Sequence, residues 1–320
     1  MNLSMSNPEL SIVVPCYREE QSLPVLSERL KAVLALAGID SYEVVFVNDG
    51  SPDNTWQCIQ DLFRADVRFT GINLSRNFGH QAALEAGLSV AKGRAVISMD
   101  ADLQHPPELI PEMVKAWRNG AMVVQAQRSA TEDSSAFKDV TSKFFYGLFR
   151  GLTGMEIVSG AADFRLLDNK VVKLILTMPE REKFFRGLVT WVGFSQKVIP
   201  YVAERRQFGS SSYTLRRMIR FAKVGLLSNT VRPLNWIIAT GLFILAFGTI
   251  AFLVMAGVKV FVSYSFFSGT AILAAIIVAS NGLLLFALGI MSLYLASIAN
   301  QTQGRPSFVI ADSTGNGEPG

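Results

Sequence analysis

The chain has 320 residues, of which half are hydrophobic and 18% are charged, with a formal net charge of +4 and a mean hydropathy of +0.31. A soluble domain usually carries ~25% charged residues, so part of this chain is expected to lie away from water. The composition excludes a disordered chain, a collagen-like fibre and a disulfide-stapled scaffold, and Cys16 and Cys58 alone are too few for a cysteine-based zinc site.

The polar start, Met1 to Ser11, has no basic run followed by an apolar core, so no cleaved leader is expected. Leu10–Pro15 is a short apolar run ending at a proline and predicts a buried strand. Ser22–Leu36 then carries Leu23, Leu26, Leu30, Val33 and Leu34 at helical spacing. The alternation continues with strands at Tyr42–Val47, Phe69–Leu74, Ala95–Met99 and Met122–Gln127. Helices are predicted between them at Thr55–Phe63, His80–Ala91 and Leu109–Trp117. Such a pattern predicts an α/β domain, a mostly parallel sheet with helices on both faces. Ligands bind such sheets beyond the carboxyl ends of the strands. After Arg128 the pattern loosens: a helix at Ser135–Gly151, a strand at Asp163–Leu167, helices at Lys170–Met178 and Glu182–Val192, and a strand at Lys197–Val202. The polar tail, Ala311–Gly320, reads as disordered.

Charge almost vanishes late in the chain. From Pro233 to Gly304 the only charged residue is Lys259. Trp236–Val258, roughly 34 Å long as a helix at ~1.5 Å per residue, suffices for a ~30 Å hydrocarbon core, and Thr270–Ala299 is longer. Two spanning helices are therefore expected. Arg205, Arg206, Arg216, Arg217, Arg220, Lys223 and Arg232 precede them without an acid, whereas the intervening loop has one positive charge. That asymmetry predicts a plasma-membrane protein with the large domain and both termini in the cytoplasm. Between domain and spans, Tyr213–Val231 has an apolar face and basic residues elsewhere, as an interfacial helix does. The predicted divisions are residues 1–208 for the domain, 209–234 for a loop and the amphipathic segment, 235–300 for the spans and 301–320 for the tail.

The chemistry-bearing residues sit at predicted strand ends. Asp100-Ala101-Asp102, followed by Gln104 and His105, can present oxygens to a hard divalent cation such as Mg²⁺ or Mn²⁺. A solvated loop or a helix cap ahead of Pro106-Pro107 would use the same residues. Three further strand ends carry polar loops: Val14-Pro15-Cys16-Tyr17-Arg18-Glu19, Asn48-Asp49-Gly50-Ser51-Pro52-Asp53, and Ser75-Arg76-Asn77-Phe78-Gly79-His80. At these residues the sequence resembles the inverting glycosyltransferases of family 2, which have the Rossmann-like GT-A fold. Leu103-Gln104-His105-Pro106-Pro107-Glu108, Asp163-Phe164-Arg165 and the paired apolar segments are similar to the branch that glycosylates polyisoprenyl phosphates. That branch includes dolichyl-phosphate mannose synthases, and the match is closest to GtrB-type undecaprenyl-phosphate glucosyltransferases.

The resemblance implies roles. Pro15, Tyr17 and Glu19 would line a base and ribose pocket, with Asp49 reaching the uracil or ribose. Asp100 would lie near ribose and diphosphate, and Asp102 and Gln104 would hold the metal, Mg²⁺ or Mn²⁺. Arg128 would face the phosphates, where a planar, permanently charged guanidinium is suited. Asp163 matches the acid at the catalytic centre, as a base, an orienting group or simply a partner of Arg165. Arg205, Arg206 and Ser211 belong to a segment similar to a donor-closing loop, although Ser212 stands where a lysine is usual. Lys138 and Lys143 are candidates for receiving the acceptor's phosphate.

Implied partners are a nucleotide sugar, first UDP-glucose, a polyisoprenyl phosphate, first undecaprenyl phosphate, and the membrane, with a homo-oligomer, first a tetramer. No nucleic-acid motif accompanies the basic residues. Two other readings remain: a processive polysaccharide synthase, whose Gln-x-x-Arg-Trp element is absent at Phe185–Trp191, and a non-catalytic nucleotide-sugar-binding scaffold.

Overall fold

A computed structural model describes residues 7–128, 161–180, 183–202, 240–241, 243–244, 246–247, 250 and 269–315. Its first strand, β1 (Leu10–Cys16), is buried at all seven positions. A strand covered on both faces needs apolar residues on each. Leu10, Ile12 and Val14 point to one side, with Leu23, Leu26 and Leu30 of α1 (Ser22–Leu36), and Val13 points to the other, with Ala83 and Leu84 of α3 (His80–Val90). This is the two-residue period of a strand, read out as two packed layers.

The remaining elements are β2 (Tyr42–Asn48), α2 (Thr55–Ala65), β3 (Phe69–Leu74), β4 (Ala95–Ser98), α4 (Ile110–Arg118), β5 (Val123–Arg128), β6 (Ala161–Asp168), α5 (Asn169–Thr177), α6 (Phe185–Trp191), β7 (Gln196–Tyr201), α7 (Gly269–Thr302) and β8 (Ile310–Ser313). The sheet runs β7-β5-β6-β4-β1-β2-β3-β8. β1 lies parallel to β2 and β4, β2 to β3, and β5 to β7, whereas β6 runs antiparallel between β4 and β5. α3 lies close to the sheet because Gly87 has no side chain: a Cβ there would sit 2.3 Å from Val13 Cγ1 and 2.9 Å from Val47 Cγ2.

Part of the polar tail is ordered, contrary to its composition. β8 pairs antiparallel with the outer edge of β3, matching Ile72 with Ser313 and Asn73 with Asp312. The Thr314 N–H donates to the Gly71 carbonyl at 2.9 Å, and the Gly71 N–H donates to Thr314 Oγ1 at 2.7 Å. An edge strand can be held by backbone pairing alone, so it needs no apolar signature.

The chain divides into two units. One contains Met1–Gly147, Met155–Arg217 and Arg305–Gly320, and the other Leu148–Gly154 and Met218–Gly304. The chain thus leaves the first unit and later returns to it. In the second, α7 runs for 34 residues without an Asp, Glu, Lys or Arg and contains the expected second span. Among the described residues, no helix is long and apolar enough to cross a membrane, and side chains are described along only part of α7. The expected first span is helical wherever it is described. The expected helices at Ser135–Gly151 and Tyr213–Val231 lie outside the described residues.

Candidate active site

The parallel strands β1, β2 and β3 deliver three loops to one end of the sheet, and hydrogen bonds join them. After β1, the Arg18 N–H donates to Ser51 Oγ at 3.1 Å and the Glu19 N–H to Thr55 Oγ1 at 3.0 Å. Arg18 has φ +61°, an uncommon left-handed conformation for a residue with a side chain. Its guanidinium lies 5.4 Å from the centre of the Tyr17 ring, which is 41% exposed as a base-stacking surface would be. Pro15 is buried within β1, and the Glu19 carboxylate accepts the Ser22 hydroxyl at 2.5 Å, at the start of α1.

Asp49 ties the loop after β2 to the loop after β3. It is 3% exposed, with its oxygens accepting the backbone N–H groups of Phe78 at 2.7 Å and Gly79 at 2.9 Å. Burial pushes its carboxyl above the usual range, against these two bonds. In this geometry the carboxylate bridges to the backbone of the loop after β3. Gly50 permits the same contact between loops, since at its φ of +60° a Cβ would lie 2.4 Å from the Arg76 carbonyl carbon.

The acidic loop follows β4. The Asp100 N–H donates to His105 Nδ1 at 3.0 Å, and the Gln104 N–H to Asp102 Oδ1 at 3.2 Å. Leu103, between them, is fully buried with φ +62°, a strained conformation that turns the loop back on itself. Beneath it His105 stacks on Phe164 at 5.2 Å and meets Tyr201 edge-on at 6.2 Å. Tyr201 pairs in register with Arg128, which is exposed at the end of β5. Burial pushes the Tyr201 phenol up to about 12; Arg128 opposes the shift, and Asp100 and Asp102 add to it.

β6, the antiparallel strand, brings Asp163 beside this loop. Arg165 Nη2 lies 2.7 Å from Asp163 Oδ1, and Arg186 of α6 donates through Nε and Nη2 at 3.1 and 3.0 Å. His80, the first residue of α3, places Nε2 3.5 Å from Asp163 Oδ2 and 3.6 Å from Asp100 Oδ1. Burial alone would raise the Asp163 pKa; Arg186, His80 and Arg165 instead hold it well below the usual range. For His80, desolvation favours the neutral ring, yet the bond to Asp163 and the charge of Asp100 push its pKa up to about 9. Its side chain is 41% exposed, so water screens part of that attraction.

The structure thus brings Asp100, Asp102, Gln104, Asp163 and Arg128 to one end of the sheet. His80 and His105, from the quoted strand-end loops, join them, and the structure adds Arg186 and Tyr201, which the sequence reading did not place there. Neither histidine has triad or zinc spacing in sequence; His105 meets Asp100 within one loop, and His80 meets it only once the sheet forms. Arg186 is 23 residues from Asp163 and has no local signal at all. Lys138, Lys143, Arg205, Arg206 and Ser211 lie outside the described residues.

Among the described residues, no group of three or more His, Cys, Asp or Glu is arranged to hold a metal ion. Asp102 and Gln104, two residues apart on a partly buried loop, carry oxygen donors of the kind that hard cations take. Such ions commonly bind one or two protein carboxylates and complete their shell with substrate phosphates and water.

Residues 11–175 match the glycosyl transferase family 2 domain. The chain is 37% identical to uncharacterized glycosyltransferase sll0501 of Synechocystis, over 96% of each chain. It is 33% identical to the SfII prophage-derived bactoprenol glucosyl transferase of Shigella flexneri, over 95% of this chain and 98% of that one. The crystal structure of glucosyl-3-phosphoglycerate synthase from Mycobacterium tuberculosis in complex with Mn²⁺, uridine-diphosphate-glucose and phosphoglyceric acid aligns over 69% of this chain and 79% of that chain. There the identity is 16% and the TM-score 0.47.

Proposed function

From the premise that the chain belongs to glycosyltransferase family 2, we propose that it transfers a hexose from a nucleotide sugar to the phosphate of a polyisoprenyl phosphate. Glucose, UDP-glucose and undecaprenyl phosphate are the first choices. Similarity to bactoprenol glucosyl transferases over nearly the whole chain supports this acceptor. The observation that carries the reading is the convergence of Asp100, just after β4, and Asp163, on β6, which lie 3.6 and 3.5 Å from His80 Nε2.

In this reading the reaction is a single inverting displacement. A phosphate oxygen of the acceptor forms a bond to the anomeric carbon while the bond from that carbon to the diphosphate oxygen breaks. The leaving oxygen keeps the electron pair. Mg²⁺ or Mn²⁺ held by Asp102 and Gln104 would supply positive charge to the departing diphosphate. Tyr17 offers an exposed ring to the base, and Arg128 a fixed charge to the phosphates. A phosphate monoester, with its second pKa near ~6, is mostly ionised at neutral pH and has no proton to surrender to a base. The low pKa of Asp163 accords with that chemistry.

Membrane attachment is part of the proposal. An acceptor tail resists extraction by ~0.8 kcal/mol for each CH₂ moved into water, so the site must be held at headgroup level. The sequence from Thr270 to Ala299, long and free of charged residues, supports one spanning segment. Trp236–Val258, also free of charge, would supply the second span. The basic residues at Arg205–Arg232 favour a cytoplasmic first unit at the plasma membrane, with Arg205, Arg206 and Ser211 near the donor. Chain association through the spans, first as a tetramer, belongs to the same reading.

The experiment is incubation of membranes containing the chain with radiolabelled UDP-glucose and undecaprenyl phosphate. Organic-soluble lipid carrying one sugar is expected; insoluble polymer would point to a processive synthase instead.

A further inference from the structure

We propose that His80 and Arg186 form the receiving site for the acceptor's phosphate monoester, with Asp163 as the anion that holds these cations in place. The inference deepens the function proposed above and rests on it. It assigns the phosphate to two residues on α3 and α6.

Three cationic side chains reach one carboxylate from three elements. Arg165 comes from β6 itself, Arg186 from α6 and His80 from the start of α3. Their exposures separate their tasks. Arg165 is 2% exposed and anchors Asp163 from within, whereas Arg186 is 19% and His80 41% exposed. Of the three, the latter two reach the surface. The His80 contacts, at 3.5 and 3.6 Å, are longer than the usual N–H···O distance, so a phosphate oxygen at about 2.7–2.9 Å would be the closer acceptor.

Two further contacts fix the spacing of this pair. Gln81 Oε1 accepts the Phe185 N–H at 3.4 Å, and Lys183 Nζ lies 3.1 Å from Glu85 Oε1. Both tie α3 to the segment that carries Arg186.

The charge balance suits a phosphate. A lone carboxylate beside the anomeric carbon would repel an incoming phosphate dianion. Here Asp163 and Asp100 face Arg165, Arg186 and a protonated His80, so cations outnumber anions. The arriving oxyanion meets net positive charge, and charge-assisted bonds from a guanidinium and an imidazolium are among the stronger hydrogen bonds available. One phosphate oxygen attacks the anomeric carbon while His80 and Arg186 hold the others. No proton changes hands, and the diphosphate oxygen departs with the electron pair.

The test uses the full chain in detergent, with UDP-glucose as donor and farnesyl phosphate as acceptor probe. His80→Gln and Arg186→Gln are expected to raise the farnesyl phosphate KM roughly tenfold or more, the scale of one lost charge-assisted bond. Their UDP-glucose KM and calorimetric UDP affinity should stay unchanged, and Arg186→Lys should fall between wild type and Arg186→Gln. Inorganic phosphate should compete with farnesyl phosphate in the wild type and less well in both Gln variants. Should Arg186→Gln fail to fold, His80→Gln carries the test, because that side chain is exposed. An unchanged acceptor KM in an active, folded His80→Gln chain overturns the inference, as does a rise confined to the donor KM. Wild-type chain that forms no prenyl-linked glucose overturns the proposed function first, and this inference with it.

Discussion

Asp49 holds the Gly79 N–H at 2.9 Å from the end of β2, and so fixes the loop that delivers His80 to the next helix. A carboxylate with this little exposure is kept there by the two backbone donors it satisfies. Asp49→Asn would turn an amide N–H₂ towards at least one of them. A buried donor left without its acceptor costs about 1–3 kcal/mol. We expect a lower thermal midpoint in the variant and faster amide exchange at Phe78 and Gly79, measured by hydrogen–deuterium exchange; wild-type protection would contradict this role.

The His80 shift sets a dependence on pH. A histidine whose folded pKa is raised to about 9 contributes stability that is complete below its unfolded value and lost as pH rises through the folded value. Wild-type stability should therefore fall between about pH 6.5 and about 9 as the ring loses its proton. Partial exposure of the ring makes the fall shallow. Thermal unfolding of His80→Gln across the same range should show a flatter profile. Asp163 acts in the opposite direction: its lowered pKa adds stability above the ordinary carboxylate range, lost as pH falls through its folded value.

Glu85 and Lys183 form an ion pair whose side chains are only 11% and 6% exposed. Removing one partner leaves a buried charge, and such changes commonly cost about 3–5 kcal/mol. Lys183→Met should thus destabilise the chain strongly, whereas Glu85→Leu with Lys183→Met should recover much of the loss. Thermal or denaturant unfolding of the two single variants and the double variant measures this; additive losses would contradict a direct pairing.

Asp102→Ala removes one carboxylate from the proposed cation site. Turnover should fall by roughly two to three orders of magnitude, the scale of losing a preorganised charge contact to the leaving group. Donor binding in the variant should also become insensitive to chelator, while remaining chelator-sensitive in the wild type. Calorimetric titration of UDP with and without EDTA reads this directly.

Most of the sheet was legible in the sequence because buried parallel strands separated by amphipathic helices leave a strong periodic signal. β1, β2, β3 and β4 fall within a residue of their predicted bounds. The same strand ends pointed to Asp100 and Asp102, whereas Asp163 entered through the family resemblance. The alternation gave no sign that β6 reverses direction, because pairing direction is a property of the assembled sheet. β8 escaped because an edge strand held by backbone bonds needs no apolar residues. The partners of Asp163 were hidden for a similar reason: Arg186 and His80 are 23 and 83 residues away, and only packing of α3 and α6 brings them together.

The central claim is the identity of the bond formed. Purified full chain, UDP-glucose with its α-linked sugar, undecaprenyl phosphate and Mg²⁺ or Mn²⁺ should yield a lipid monophosphate carrying one β-linked glucose, resolved by mass spectrometry and anomeric NMR coupling. A product retaining the α configuration, or free glucose with the lipid phosphate unmodified, would contradict it.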